Sequence, residues 1–403
     1  MSVFAGPKIN NNGLMLAFDD NNIDKSWKGK PTTNHVLYPL AIAENGNDST
    51  TGWNNYGFGD DNTFSILKEP TALKIGNCIQ VTKNTTANGT INVVTTSTGN
   101  LNLGDTVTVS WYVKGVGGTI GKNVRIWVYN NSTDGPISTG VLGLGPLTSE
   151  FQRFSYTYTW TKATASGSGL TSYIRVEFGT GDRFIVSNPQ IEFGSVVSPF
   201  VSGTRSNTQS LLDLTGKNTI TVNNLTYSNN GTFSFNGTNS YIDAGNAADL
   251  QQSETFSAEA WVRITDLGGS SELFSKGNGL SGDGNLGWAV SYYNVTNTLY
   301  FDTHNMTTRY ASVISHENST NWFNIVVTFS SGIKKIYING VLKRTDSTPS
   351  HTIGNVNYNF TVSEGFTWQS LMGDVAALRY YNRVLSDSEV RQNFNALRGR
   401  YGI

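Results

Sequence analysis

The stretch Asn321–Arg344, NWFNIVVTFSSGIKKIYINGVLKR, constrains the fold more than any other part of this chain. Phe323, Ile325, Val327 and Phe329 alternate with Asn324, Val326 and Thr328, so alternate side chains share a face, the two-residue period of a strand. After Ser330-Ser331-Gly332 comes Ile333–Ile338, then Asn339-Gly340, the pair best suited to the two positive φ angles of a type I′ turn. That turn sets the register, with Ile338 facing Val341 and Tyr337 facing Leu342. The expectation is an antiparallel meander of three strands at the centre of its sheet.

The rest of the chain has the same texture. Charged residues make up 14% of its 403 residues, aromatics reach 12%, and there are 43 glycines, a balance that favours strands joined by turns. The length suffices for about two or three domains. A net charge of −1 with no basic block lacks the long-range attraction to phosphate that nucleic-acid binding needs. No apolar run is long enough to span a membrane as a helix. Cys78 stands alone, so no intrachain disulfide forms. The start, MSVFAGPKINNNG, has neither the charged nor the apolar region of a signal peptide, so synthesis in the cytosol without secretion is expected.

Gly13–Asp19 is a short apolar strand followed by a polar loop that ends at Pro31. From His35 onward short strands are expected at Asn77–Lys83, Asp105–Lys114, Asn123–Asn130, Phe151–Trp160, Tyr173–Phe178 and Arg183–Phe193, spaced as in a sandwich. Val107, Val109, Trp111 and Val113 form one core row, and Val124, Ile126 and Val128 form another. Phe154, Tyr156, Tyr158 and Trp160 share a face that reads as core or interface. The opposite faces carry Arg125, Trp127 and Tyr129 on one strand and Tyr173, Arg175 and Glu177 on another. Aromatic and charged residues together suit a sugar, whose apolar face stacks on an indole while its hydroxyls meet Arg and Glu. A second packing layer or a subunit contact would use the same residues.

A linker is expected at Gln190–Ser206, through Pro199 and Gly203. Beyond it, Thr255–Arg263 alternates Phe256, Ala258, Ala260 and Val262 with Glu259, Trp261 and Arg263. Further strands are expected at Leu211–Leu214, Thr219–Asn223, Gly231–Phe235, Ser240–Ala244, Leu273–Ser275, Gly287–Tyr293, Leu299–Asp302 and Gly373–Tyr381. One helix is predicted, opened by the capping box Ser386-Asp387-Ser388-Glu389, with Val390, Phe394 and Leu397 at helical spacing and Gly399 as its stop.

Several anchors of this second half come in a familiar order. They are Phe235-Asn236-Gly237 through Tyr241-Ile242-Asp243, Phe256–Val262, Trp322–Thr328, Tyr337–Val341, Gly373-Asp374-Val375 and Arg379–Ser386 leading into Glu389. The segment resembles a laminin-G-like, concanavalin A-like jelly roll of the kind common in virion proteins of tailed bacteriophages. In similar domains a strand like Gly13–Phe18 is followed closely by an Asp-Leu-Ser/Thr-Gly-Asn element, but here Asp213-Leu214-Thr215-Gly216-Lys217 comes much later. The resemblance therefore implies that residues 1–33 and 205–403 form one discontinuous jelly roll, with 34–204 inserted in its loop. The insert resembles a carbohydrate-binding-module sandwich through Val109–Lys114 and Gln190–Gly194 with Pro199-Phe200. The fold class is thus expected to be all-β, two jelly-roll sandwiches with one short C-terminal helix.

Glucanases that share the fold use Glu-x-Asp-x-Glu on one strand, and no such triplet occurs here. Glu259 is the nearest candidate, and Arg263 on the same face favours a structural ion pair instead. His35, His304, His316 and His351 lack paired metal spacing. The loop from Asp20 has Lys25 and Pro31 where a calcium loop needs Gly and Glu, and Gly121-Lys122-Asn123 is not a phosphate loop. No cofactor is expected. Similar domains do sometimes hold a structural calcium ion, for which Asp243, Asp302 and Asp374 are the conceivable ligands, the other reading being plain turn and strand-end carboxylates.

The combined expectation is a non-enzymatic virion structural protein of a bacteriophage, on a tail fibre, the tail or the capsid surface, that contacts host surface glycans. Its partners would be other virion proteins and further copies of itself. The alternatives are a purely architectural decoration or stabilising protein of the capsid and, from another class, a glycan depolymerase.

Overall fold

The structure, a computed structural model, describes residues 8–403 apart from 37–38, 42–52, 56–61, 84–88, 95–101, 133–134, 162–169, 177–181, 229–232, 278–286, 317–318, 355–356 and 365–368. The chain divides into two units, Met1–Lys30 with Ser206–Ile403, and Pro31–Arg205. The junctions fall after Lys30 and Arg205 rather than after 33 and 204, because Thr32–Thr33 pairs antiparallel with Thr204–Arg205 and both ends go with the insert.

The insert is a sandwich of two five-stranded antiparallel sheets. One sheet runs Gln152–Thr159, Thr106–Val116, Arg183–Phe193, Cys78–Lys83, Asn62–Leu67. The other runs Trp53–Asn55, Gly89–Val94, Thr171–Val176, Val124–Ser132, Gly135–Leu144. Between them lie both expected core rows, from Val107 to Val113 and from Val124 to Val128, all buried. The aromatic row of Gln152–Thr159 also faces inward: Phe154, Tyr156 and Tyr158 stand opposite Trp111, Val109 and Val107 and pack on that core, and Trp160 is buried in it. The expected strand at Tyr173 starts two residues earlier, at Thr171, and Glu177 and Phe178 lie outside the described residues.

In the other unit the first strand, Leu14–Asp19, pairs with Met372–Tyr381. The Asp213 turn secures its free edge, with Asp213 Oδ1 accepting from the Ala17 N–H at 3.0 Å and the Leu214 N–H donating to the Ala17 carbonyl at 2.7 Å. Met372–Tyr381 continues into a sheet through Thr255–Ile264, Phe323–Ser330, Ile333–Ile338 and Val341–Ser347. The Asn339-Gly340 turn has φ of 51° and 74°, and the predicted pairs Ile338 with Val341 and Tyr337 with Leu342 form. The meander sits at one end of the sheet, not its centre, and Val341–Ser347 is an exposed edge strand.

A second sheet, led by Ser271–Lys276, Trp288–Tyr293, Thr298–His304 and Arg309–Ser315, packs against the first over a core that includes Phe256, Trp288, Phe301, Phe329 and Tyr380. The helix Asp387–Leu397 covers the first sheet's other face. Its capping box forms, with Ser386 Oγ accepting from the Glu389 N–H. Val390 packs with Val326, Tyr337 and Tyr381, while Phe394 and Leu397 pack with Trp261 and Ala377. This explains why the strand Phe323–Ser330 is apolar at Val326 as well as along its inner row, since both faces are buried. Gly399 does not end the helix abruptly, because a 3₁₀ turn follows at Arg398–Arg400.

Candidate functional site

The outer row of the insert assembles from two adjacent strands. Trp127 on Val124–Ser132 faces Tyr173 on Thr171–Val176, Arg125 faces Arg175, and Tyr129 faces Thr171. Alternation then puts Arg125, Trp127, Tyr129, Tyr173 and Arg175 on the face away from the core, each half-buried. The rings of Tyr129 and Tyr173 meet edge to face, 6.3 Å between centroids. On the other side Trp127 faces Gly140, where a Cβ would stand 2.6 Å from indole Cδ1 and 2.2 Å from the Ile126 carbonyl oxygen. Only glycine admits this close approach, so the indole leans across the neighbouring strand. The sixth member of the expected row, Glu177, lies outside the described residues. Chemically, the face offers aromatic surface bordered by two guanidinium groups, which donate hydrogen bonds but accept none.

The three aspartates considered for calcium are held separately. Asp243 accepts from the Gly245 N–H at 2.7 Å and from Asn359 Nδ2 at 2.8 Å. Asp302 takes a two-point bond from Arg309, at 2.9 and 3.0 Å. Asp374 binds Arg263 Nε at 2.7 Å and the Ser234 hydroxyl at 2.6 Å. No group of three or more metal-ligating side chains forms among the described residues.

Glu259 is fully buried. Its partner is not Arg263, which is taken by Asp374, but Arg379, directly opposite on the neighbouring strand, at 3.5 Å. Asn324 and Asn393 donate to its two oxygens at 3.2 and 2.8 Å. A carboxylate enclosed in this way cannot reach a glycosidic oxygen, so the nearest depolymerase candidate from the sequence is a structural residue. Another glutamate is strongly perturbed by burial. Glu272 is buried in Ser271–Lys276 with Ser275 donating to it at 2.7 Å, and burial, aided by Glu364, pushes its carboxyl up to about 7. Nothing in its local sequence marks it, since it lies in a short strand between Ser271 and Leu273.

The family model of the concanavalin A-like lectin/glucanases superfamily matches residues 236–391, within the unit formed by Met1–Lys30 and Ser206–Ile403. This unit has a concanavalin A-like fold. Solved structures similar to the chain include the binding domain of botulinum neurotoxin DC in complex with rat synaptotagmin II, 19% identical over 48% of this chain and 50% of that one, with a TM-score of 0.38. The botulinum neurotoxin serotype D binding domain is 15% identical over 49% and 50%, with a TM-score of 0.37. The chain spans about half the length of the solved structures it matches. No curated protein matches it. In the concanavalin A-like unit, Asn236, Trp261, Trp322 and Arg379, anchors of the sequence resemblance, all fall inside the matched range.

Proposed function

We propose that the chain is a non-enzymatic component of a bacteriophage virion, displayed on a tail fibre, the tail or the capsid surface, that contacts host surface glycans through the insert's outer face. The observation that carries the reading is the outer row itself. Five residues separated in sequence, Arg125, Trp127, Tyr129, Tyr173 and Arg175, fall on one face of one sheet and stay half-exposed, with a glycine opposite the tryptophan. Such a face gives a pyranose a stacking surface and hydroxyl-binding donors without enclosing it. A shallow site binds weakly, and repetition over many copies in a particle supplies the avidity. The enclosure of Glu259 by Arg379, Asn324 and Asn393 supports the non-enzymatic part.

Binding of the assembled protein to host cells and to a glycan array tests this, and Trp127→Ala is expected to reduce it by about tenfold or more, since a loss per site is multiplied across copies. Undiminished binding by Trp127→Ala would move the contact elsewhere, and no binding by the parent protein would leave an architectural role. Release of reducing ends from host polysaccharide would overturn the non-enzymatic reading, while antibody labelling of intact particles checks the virion position.

A further inference from the structure

Arg379 stands on the helix-covered face of the first sheet, between Ala17 on one neighbouring strand and Glu259 on the other. Only 5% of its side chain is exposed. Glu259 balances its charge from 3.5 Å, but the two Glu259 oxygens accept from the Asn324 and Asn393 amides, and Arg379 donates no hydrogen bond among the described residues. A guanidinium carries five N–H donors, and leaving them unmet in a buried place is costly. Charge is balanced here, and hydrogen bonding is not.

Arg379 also lines a cavity of about 470 Å³, within the range of small-ligand sites. The strand Leu14–Asp19 is its base, where Ala17 beside Arg379 is too short to fill the space over the guanidinium. One wall is the segment 9–11, fixed by Asn10, whose N–H donates to Asn393 Oδ1 at 2.9 Å and whose amide donates to Glu389 at 2.6 Å. Another is the Leu214-Thr215 turn, fixed by the Leu214 N–H on the Ala17 carbonyl and by the Thr215 hydroxyl on the Met15 carbonyl at 3.2 Å. Leu14, Leu214 and Leu397 make much of the lining aliphatic. Asp19, the carboxylate in the lining, is engaged by Arg400 at 2.7 Å. The lining residues all lie in described stretches of the chain. With its walls held in place, the cavity presents aliphatic surface, paired charges and unmet donors, so little ordering remains when a ligand arrives. A charged ligand would upset a balance already struck, whereas a neutral carbonyl meets the donors and leaves it intact.

We propose that this cavity binds a neutral apolar amide, its carbonyl accepting from Arg379 and its aliphatic part lying against Leu14, Leu214 and Leu397. The inference uses no residue of the insert and does not rest on the outer-row reading. A free carboxamide and an aliphatic residue within a peptide share this chemistry, so hexanamide and N-acetyl-leucine N-methylamide both serve as probes, with hexanoate as the charged counterpart of the first. Each is titrated into the full chain while leucine methyl signals are followed by NMR, with Leu214 and Leu397 assigned from Leu214→Trp and Leu397→Met. Hexanamide is expected to shift both signals, and hexanoate to bind about fivefold more weakly, as a carboxylate brought near Glu259 and Asp19 would. Leu214→Trp, filling the mouth, should abolish the shift at Leu397. Arg379→Lys keeps the charge beside Glu259 but loses the planar fork, and should weaken hexanamide about fivefold, one hydrogen bond's worth. Leu214 is exposed, so its replacement leaves the fold intact and the test stands even where Arg379→Lys does not fold. Hexanoate binding as tightly as hexanamide, an undiminished response in Leu214→Trp, unchanged affinity in a folded Arg379→Lys, or no shift with either amide, which leaves the cavity to water, would each overturn the proposal. Tighter binding of the leucine derivative assigns the site to a peptide and tighter binding of hexanamide to a free carboxamide, and either result carries the proposal.

Discussion

The strands Thr255–Ile264 and Val124–Ser132 read alike and end differently. Each has an apolar inner row, and each carries aromatic and charged residues on its other face: Glu259, Trp261 and Arg263 in one, Arg125, Trp127 and Tyr129 in the other. In the first, the helix Asp387–Leu397 lies over that face, Phe394 stacks on Trp261 at 5.7 Å, Tyr401 stacks on it at 4.2 Å, and Glu259 and Trp261 are fully buried. In the second, the corresponding residues stay half-exposed. An alternating aromatic and charged row therefore states that a second face is used, and a covering element elsewhere in the chain decides whether the use is packing or recognition.

Removing a charge should separate the two faces most sharply. Glu259→Ala leaves Arg379 buried without its carboxylate and is expected to cost about 3–5 kcal/mol in denaturant unfolding, whereas Arg125→Ala on the half-exposed face should stay within about 1 kcal/mol. Similar losses at both sites would break the comparison. Trp261→Ala should cost about 3–5 kcal/mol by emptying a packed site, and Trp127→Ala well under half as much while losing glycan contact. Gly340→Val probes the cover itself, because Gly340 has φ 74° and a Cβ there would stand 3.0 Å from Phe394 Cδ1. A cost of about 1–3 kcal/mol is expected, with proteolysis of the C-terminal helix rising before any change in the insert. The smallest effect is pH-dependent. Arg383 holds Glu389 down to about 2 in the folded chain, below its ordinary 4.5. The folded state thus binds this proton less readily than the unfolded chain, so the stabilisation is complete above about 4.5 and fades as pH falls towards 2. In Glu389→Gln that part of the acid limb should flatten when unfolding is followed by tryptophan fluorescence.

Much of this was legible in the sequence, and the reasons for the rest are physical. The Asn339-Gly340 turn, the rows Val107 to Val113 and Phe256 to Val262, and the Ser386 cap depend on short-range rules, and each stands where those rules put it. The meander's place at the sheet end was hidden by the helix, whose cover makes an off-centre strand as apolar as a central one. Local spacing pairs Glu259 with Arg263 on the same strand, but the ladder sets Arg379 opposite, and cross-strand register is not written in local spacing. Gly135–Leu144 lacks a strand signature because Gly135, Pro136, Gly140 and Gly143 interrupt it, as an edge strand tolerates. Of the candidate site, the outer row was readable from period-two alternation. The enclosure of Glu272 was not, since its short strand between Ser271 and Leu273 carries no mark of it.

The short pairing of Thr32–Thr33 with Thr204–Arg205 bears on how the chain reaches this state. Before the insert folds, joining the first strand to Met372–Tyr381 means closing a long flexible loop, with its entropic penalty. Once the insert has folded, its paired ends deliver Lys30 and Ser206 side by side, which takes residues Pro31–Arg205 out of the loop to be closed. The concanavalin A-like unit should then acquire its first strand last. Hydrogen exchange pulsed during refolding would show protection at Val107–Val113 ahead of protection at Leu16–Phe18, making the inserted domain a template for the assembly of the domain that surrounds it in sequence.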